Sequence, residues 1–265
     1  MRFRVLLISS VTILLALSLK GLTAAGVPNN VSAMRAPVLV ELFTSEGCSD
    51  CPPADSLLEK LDQSQPVQTA DVVVLSEHVD YWDDLGWRDP YSSRQFSIRQ
   101  NDYASHFGLN GPYTPEMVVD GNTEFVGSNE GQAIQAIEIA AHVAKLPISL
   151  SSLHLIATNS LALHIEVRPL SSTAKPQSGR VFIALADESD QSSVLRGENS
   201  GRTLEHVAVV RTLVQVGTLD RSGAFSGDIN VNTGSANLHN LRVVAFVQGA
   251  TPGRVIGVGS ARLSQ

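Results

Sequence analysis

Cysteine is scarce in this 265-residue chain: only Cys48 and Cys51 are present, with two residues between them. The second cysteine pair that a four-cysteine zinc site needs is missing, and the seven histidines include no His-x-x-x-His pair. Closing so short a loop removes little entropy from the unfolded chain, so a purely stabilising disulfide is not favoured. A redox couple, half of a metal site and a chance pair all remain compatible with Cys-x-x-Cys.

Basic side chains are also in deficit, with 19 Lys and Arg against 26 Asp and Glu and a net charge of -7. Such a chain is poorly suited to phosphate backbones or anionic lipid surfaces, so we expect no nucleic-acid partner. Hydrophobic residues make up 43% and charged residues 17%, which excludes a largely disordered chain. No nucleotide-binding loop, internal repeat or low-complexity tract is present.

No apolar run is long enough for an ordinary membrane span. The longest, residues 5–19, follows two arginines and precedes the small residues 23–26, which is the layout of a secretory signal peptide. The sequence therefore predicts a signal peptide over 1–25 and a periplasmic or secreted protein of bacterial type. No stable membrane insertion is expected after the signal is removed, and the oligomeric state is unknown.

The two cysteines stand at a predicted junction between a strand and a helix. Residues 37–43 form a short, β-rich apolar run, and residues 54–61 carry apolar side chains at i, i+3, i+4 and i+7. Pro52 and Pro53 fit the first turn of that helix. The positive end of a helix lowers a thiol pKa, which favours a redox role. Because Cys48 precedes the helix, we expect its sulfur to be the more exposed of the two.

Further elements follow in an alternating order. Residues 71–75 predict a second buried strand, 92–107 a helix, 117–119 and 123–126 a hairpin, and 130–144 a last helix. After residue 147 the chain changes to short alternating runs with Gly, Ser and Asn turns, which predicts an antiparallel β domain. The polar stretch 187–203 predicts a long loop, whose Glu198, Asn199 and Arg202 are candidates to reach the cysteines.

Four sequence segments resemble a known family. They are Phe-Thr-Ser-Glu-Gly-Cys-Ser-Asp-Cys-Pro-Pro-Ala-Asp at 43–55, His-Val-Asp-Tyr-Trp-Asp at 78–83, Leu-Gly-Trp-Arg-Asp-Pro at 85–90 and Tyr-Thr-Pro at 113–115. Together with Gly-Glu-Asn-Ser-Gly-Arg at 197–202, they resemble a family of secreted bacterial thioredoxin-like proteins of unknown function. The resemblance covers nearly all of the chain after the signal peptide.

The resemblance implies a fold and a site. The fold class is an α/β thioredoxin-like domain (34–146) followed by an all-β, sandwich-like domain (147–265). The site is Cys48 and Cys51 as the catalytic pair, with a cis Pro115 beside it and Thr114 before it. These two residues would shape a groove for the partner chain, and neither an organic cofactor nor a metal is implied.

Both tryptophans and all four tyrosines lie between residues 81 and 113. These rings either fill the core or bind a partner peptide, for which Tyr81, Trp82 and Trp87 are the candidates. His78 ends a predicted strand, and it is either a hydrogen-bonded structural residue or a modulator of the thiols. Asp50 lies between the cysteines, where its carboxylate opposes thiolate formation and leaves the direction of electron flow open.

The favoured interpretation is thiol–disulfide exchange with protein or peptide thiols and disulfides, which would make the protein an oxidoreductase. Two alternatives stay open. Cys48, Cys51 and His78 offer a soft donor set for Cu(I), which would make this a copper-binding protein or metallochaperone. The third possibility is a protein-binding module in which the disulfide is a permanent staple.

Overall fold

A computed structural model describes residues 35–171, 173–249 and 253–263. The predicted signal peptide, 1–25, lies outside the described residues. Three helices are present in the described part of the chain, α1 (Pro52–Ser64), α2 (Arg94–Phe107) and α3 (Glu130–Ala141). The strands are β1 (Ala36–Thr44), β2 (Ala70–His78), β3 (Glu116–Val119), β4 (Thr123–Val126), β5 (Ile148–Ala157), β6 (Ser160–Val167), β7 (Gly179–Ser193), β8 (Thr203–Thr218), β9 (Phe225–Asn232), β10 (Leu241–Gly249) and β11 (Val255–Arg262).

The larger sheet contains strands from both halves of the chain. Its eight strands run in the order β11-β10-β7-β8-β2-β1-β3-β4, and a second sheet has the order β5-β6-β9. The expected fold class, a thioredoxin-like α/β domain followed by a separate all-β domain, is therefore wrong. The described residues form a mainly β structure with a mixed eight-stranded sheet and three helices.

The N-terminal and C-terminal strands of the larger sheet join where β2 pairs in parallel with β8, at Ser76 and Val209. Strand β2 is buried along nearly all of its length, and its other edge pairs in parallel with β1. A buried strand edge needs hydrogen-bonding partners, because unpaired main-chain groups away from water are costly. Strand β8 covers this edge, so the C-terminal strands extend the first sheet instead of building an independent sandwich.

Strand β7 contributes side chains to two hydrophobic cores, one on each face of the larger sheet. On β7, Ile183 and Leu185 contribute to the core shared with the three-stranded sheet, whereas Ala184 and Ala186 contribute to the core that holds β1, β2 and α1. Because successive side chains of a strand point to opposite faces, one strand serves both cores. The alternating runs predict an antiparallel, sandwich-like domain, whereas the middle of β7 is buried on both faces.

The predicted loop over 187–203 is mostly strand. Strand β7 continues to Ser193 and β8 begins at Thr203, so the connection is only residues 194–202, which we call the hairpin tip. The polar residues of this stretch alternate between more and less exposed positions, because they lie on a two-stranded ribbon. Among the described residues, no helix is long and apolar enough to cross a membrane.

Candidate functional site

Cys48 and Cys51 are joined by a disulfide at the start of α1. Their Cα atoms are 5.4 Å apart, and Cys51 occupies the N-cap position ahead of Pro52. The N–H of Cys51 donates to the Cys48 carbonyl at 3.2 Å, and the Cys51 carbonyl accepts from the N–H of Ala54 at 2.8 Å. The predicted junction between β1 and α1 is confirmed, so both sulfurs lie in the field of a helix N-terminus.

Both cysteines are buried, with 1% of Cys48 and none of Cys51 exposed. Cys48 is thus the more exposed of the two, as expected, but only by this 1%, and neither residue is accessible from solvent. The two residues between them, Ser49 and Asp50, are exposed. The Asp50 carboxylate thus faces solvent beside the pair, where water screens its effect on the thiols.

The hairpin tip lies against the turn that carries Cys48. The side-chain amide of Asn199 donates to the carbonyl oxygens of Glu46 and Cys48, both at 2.9 Å, and Asn199 is buried. A carboxylate oxygen of Glu198 accepts from the N–H of Ser49 at 3.0 Å, and hydrogen bonding from the Ser49 side chain and from this N–H lowers the pKa of Glu198. Arg202 donates to the Asn199 side-chain oxygen at 2.8 Å. The hairpin tip therefore holds the main chain on both sides of the first cysteine.

Glu46 connects this turn to three other segments. One of its carboxylate oxygens accepts from the Trp87 indole N–H at 2.7 Å, and the other accepts from the Ser192 hydroxyl and lies 3.3 Å from His206 Nε2. Its backbone N–H donates to Asp89 Oδ2 at 2.8 Å. A single buried glutamate two residues before Cys48 thus holds the loop after β2 (residues 79–93, the aromatic loop), β7 and β8 in place.

Four buried ionisable side chains form a cluster next to Glu46: His78, Asp89, His206 and Asp55. His78 Nδ1 is 2.7 Å from Asp89 Oδ2, and the His78 ring meets the His206 ring edge to face at 4.7 Å. His206 Nδ1 lies 3.9 Å from Asp55 Oδ1, which is an ion-pair distance but too long for a hydrogen bond. The four side chains come from β2, the loop after it, β8 and α1.

Two of these groups have displaced pKa values. Burial by itself lowers the pKa of His206, but the carboxylates of Asp55 and Glu46 outweigh it and raise the pKa from 6.5 to about 10. Burial raises the pKa of Asp89, but the His78 ring and the N–H groups of Glu46 and Tyr91 bring it below its ordinary value. His206 is therefore a buried cation at neutral pH.

We expect the charge on His206 to make stability depend on pH. Its raised pKa means that its contribution is complete below about pH 6.5 and is lost as the pH rises through about 10, with an upper limit of about 5 kcal/mol. Urea unfolding of the oxidised protein and of His206→Gln at several pH values across this interval measures the difference. The gap between the two unfolding free energies should narrow as the pH rises, whereas a constant gap contradicts the assignment.

The aromatic loop, residues 79–93, contacts the cysteine turn through its two tryptophans. Trp82 lies against Gly47 of the cysteine turn, where an added Cβ would be 3.1 Å from the Trp82 Cβ. Trp87 lies against Gly197 of the hairpin tip, where an added Cβ would be 3.0 Å from the Trp87 Cβ. The Trp82 indole N–H donates to the Thr114 hydroxyl at 2.8 Å. Tyr81 is 40% exposed, and its hydroxyl donates to Gln100.

The Thr114–Pro115 peptide bond is cis, as predicted. Pro115 lies near the start of α1, because Pro115 and Ala54 both pack against Gly127. A Cβ added to Gly127 would lie 3.2 Å from the Pro115 Cβ and 3.1 Å from the Ala54 Cβ. Trp82, Trp87, Thr114 and Pro115 are thus gathered around the cysteine turn and the start of α1. His78 is one step removed, because it reaches Glu46 through Asp89 and through the His206 ring.

Glu46, Asp55 and His206 are the residues that sequence reasoning missed. Glu46 belongs to a stretch that reads as an ordinary turn, and Asp55 looks like an acidic residue in the first turn of a helix. His206 precedes the apolar run 207–210, and a histidine entering a buried strand is the one signal that pointed to it. No group of three or more His, Cys, Asp or Glu able to hold a metal ion is found in the described residues.

Known proteins agree with this architecture. The chain is similar to protein AGR_C_4864 from Agrobacterium tumefaciens, with 25% identity and a TM-score of 0.65 over 87% of this chain and 98% of that one. It also has the fold of HBP35 of Porphyromonas gingivalis, with 16% identity and a TM-score of 0.61 over 86% and 76% of the two chains. No curated protein sequence matches it. The family model described as protein of unknown function (DUF1223) matches residues 39–248, so the chain belongs to the DUF1223 family.

Proposed function

We propose that the protein carries out thiol–disulfide exchange through Cys48 and Cys51. The observation that carries this proposal is a disulfide across two intervening residues at the N-terminus of α1. So small a loop adds little stability, whereas the helix N-terminus stabilises the thiolate that exchange requires. A reactive pair accounts for this placement better than a staple does.

The two sulfurs have different roles in the proposed reaction. In the reduced protein the Cys48 thiolate attacks a partner disulfide, forms a mixed disulfide and releases one partner thiolate, which takes up a proton. Cys51 then loses its proton and attacks Cys48 Sγ, which releases the second partner thiol and restores the Cys48–Cys51 disulfide. Two electrons pass to the partner, and the same steps in reverse oxidise a partner dithiol.

The partner-binding side chains are proposed to be Thr114, Pro115, Tyr81, Trp82 and Trp87. Trp82 lies against Gly47 and Trp87 donates to the Glu46 carboxylate, both in the turn just before Cys48, and the Trp82–Thr114 hydrogen bond joins two members of this group. Tyr81 contributes an exposed ring. Asp50 is proposed to weaken thiolate formation by its charge, and His78 to act through Asp89 and the Glu46 backbone.

The proposed site of action is outside the bacterial cytoplasm, in the periplasm or the surrounding medium. The basic start, the apolar run over 5–19 and the small residues after it support export. Disulfides persist in such oxidising compartments, which is consistent with an oxidised resting pair. The proposed partners are protein or peptide thiols and disulfides.

The reduction potential of the pair tests this function. The protein is equilibrated in glutathione buffers of graded ratio until the fraction of free thiol stops changing, and thiols are then counted by alkylation and mass spectrometry. An exchange protein should have a potential between about −270 and −120 mV, the range of known exchange proteins. A potential below about −300 mV would identify a staple and favour the protein-binding module.

A further inference from the structure

The hairpin tip contacts the main-chain groups that an incoming polypeptide would need. The Cys48 carbonyl accepts from the Asn199 amide, and the neighbouring Ser49 N–H donates to the Glu198 carboxylate. An extended peptide offers the same pair of functions, an N–H donor and a carbonyl acceptor. The hairpin tip thus places an amide donor and a carboxylate acceptor where a partner backbone would place its own.

We propose that the hairpin tip, residues 194–202, is a specificity-determining cover that excludes small thiols and gives way to a polypeptide that replaces its hydrogen bonds. This inference rests on the proposed exchange function. It names the substrate class as a polypeptide segment containing cysteine. A small thiol such as 2-mercaptoethanol has a single hydroxyl besides its sulfur and cannot replace both hydrogen bonds, so it must wait for the hairpin tip to open unaided.

The burial of the disulfide means that some segment must move before an attacker can reach it. Cys48 is 1% exposed and Cys51 is fully buried, yet an attacking thiolate must approach a sulfur directly. Of the hairpin tip, Val194 and Asn199 are buried, whereas Glu198 and Leu195 are exposed, the latter by 72%. The hairpin tip is held to the cysteine turn by the hydrogen bonds of Asn199 and Glu198.

Two glycines of the hairpin tip have backbone angles in the left-handed region. Gly197 and Gly201 have φ angles of +78° and +80°, a conformation that glycine adopts at low cost. The tip closes on β7 and β8 through the pair Val194 N–H to Arg202 O at 2.9 Å and Gly201 N–H to Val194 O at 2.8 Å. Opening can break the contacts of Asn199 and Glu198 and leave this strand pair intact.

The exchange step is the same for both kinds of attacker. A thiolate attacks Cys48 Sγ, the bond between Cys48 and Cys51 breaks, and Cys51 leaves as a thiolate that takes up a proton. The attacker's sulfur stays on Cys48 as a mixed disulfide until a second thiolate attacks that sulfur. The attackers become a disulfide, and the pair gains two electrons and two protons.

The test compares two attackers on the full oxidised protein. 2-Mercaptoethanol is the small thiol, and an unstructured peptide with a central cysteine is the polypeptide. The rate at which the Cys48–Cys51 disulfide opens is measured by acid quenching, alkylation and mass spectrometry. The wild-type protein should react faster with the peptide than with 2-mercaptoethanol by about tenfold, after correction for the pKa of each thiol.

Two variants release the hairpin tip by different routes. Asn199→Ala removes both amide donations, and Glu198→Ala removes one acceptor from an exposed position, where folding is not at risk. Each should raise the rate with 2-mercaptoethanol, by about tenfold for Asn199→Ala and less for Glu198→Ala, while the equilibrium constant with 2-mercaptoethanol stays unchanged. Arg196→Ala, an exposed residue of the same hairpin tip, is the matched control and should react like the wild type.

Three results would overturn the inference, and they differ in what they say about the proposed function. Equal rates of exchange in the wild-type protein and both variants would show that the hairpin tip is not a cover, while the exchange function would stand. Absence of exchange with either attacker in every protein would contradict the exchange function and the cover together. An unchanged rate of disulfide opening with a changed equilibrium constant would also contradict a cover, because Asn199 would then affect only the relative stability of the oxidised and reduced proteins.

Discussion

Replacing Cys51 by alanine should convert the protein into a trap for its exchange partners. Cys48 keeps its place ahead of α1, so its thiolate can still attack a partner disulfide. The thiol that resolves the mixed disulfide is gone, and the partner remains covalently bound. Adducts from an extract of exported proteins should appear on a non-reducing gel and disappear when a reductant is added.

The matched variant is Cys48→Ala, which leaves a single thiol at the N-cap of the helix, where it is fully buried. We expect its adduct yield to be lower by at least about tenfold, and the double alanine variant should give none. Equal yields from the two single variants would show that the roles of the cysteines are wrongly assigned. Asn199→Ala added to Cys51→Ala should increase the yield further, because it frees the hairpin tip.

Replacing Glu46 by alanine should cost the oxidised protein about 3–5 kcal/mol of unfolding free energy, the usual cost of removing one partner from a buried ion pair. The change leaves His206 charged and buried, with Asp55 at 3.9 Å as its remaining carboxylate contact in the cluster. It also leaves the Trp87 indole N–H and the Ser192 hydroxyl without their acceptor. The measurement is urea unfolding near neutral pH, with the disulfide intact.

Two controls separate the ion pair from the rest of the glutamate. Glu46→Gln keeps an accepting oxygen for Trp87 but removes the charge, so it should fall between the wild type and Glu46→Ala. Glu205→Ala changes a neighbouring exposed glutamate on β8 and should cost less than about 1 kcal/mol. A loss below 1 kcal/mol for Glu46→Ala would mean that Glu46 does not organise the cysteine turn.

Local sequence patterns were sufficient to locate most of the secondary structure. Period-two runs and the helical spacing of apolar residues placed most strands and the three helices near their observed positions, because these patterns act over a few residues. The same locality placed Cys48 and Cys51 correctly between β1 and α1. Patterns of this kind failed for residues 187–203, where a ribbon of polar strand residues resembles a loop.

The sequence alone thus determined the elements, the family resemblance and the cysteine pair. Only the tertiary structure decided that β8 joins β2, which turns two expected domains into one eight-stranded sheet. It also decided that Glu46 meets His206, 160 residues away, and that Asn199 reaches Cys48 across 151 residues. Which distant strands pair depends on which buried strand edges still lack hydrogen bonds. The hydrophobic pattern within one strand does not identify the strand that it pairs with.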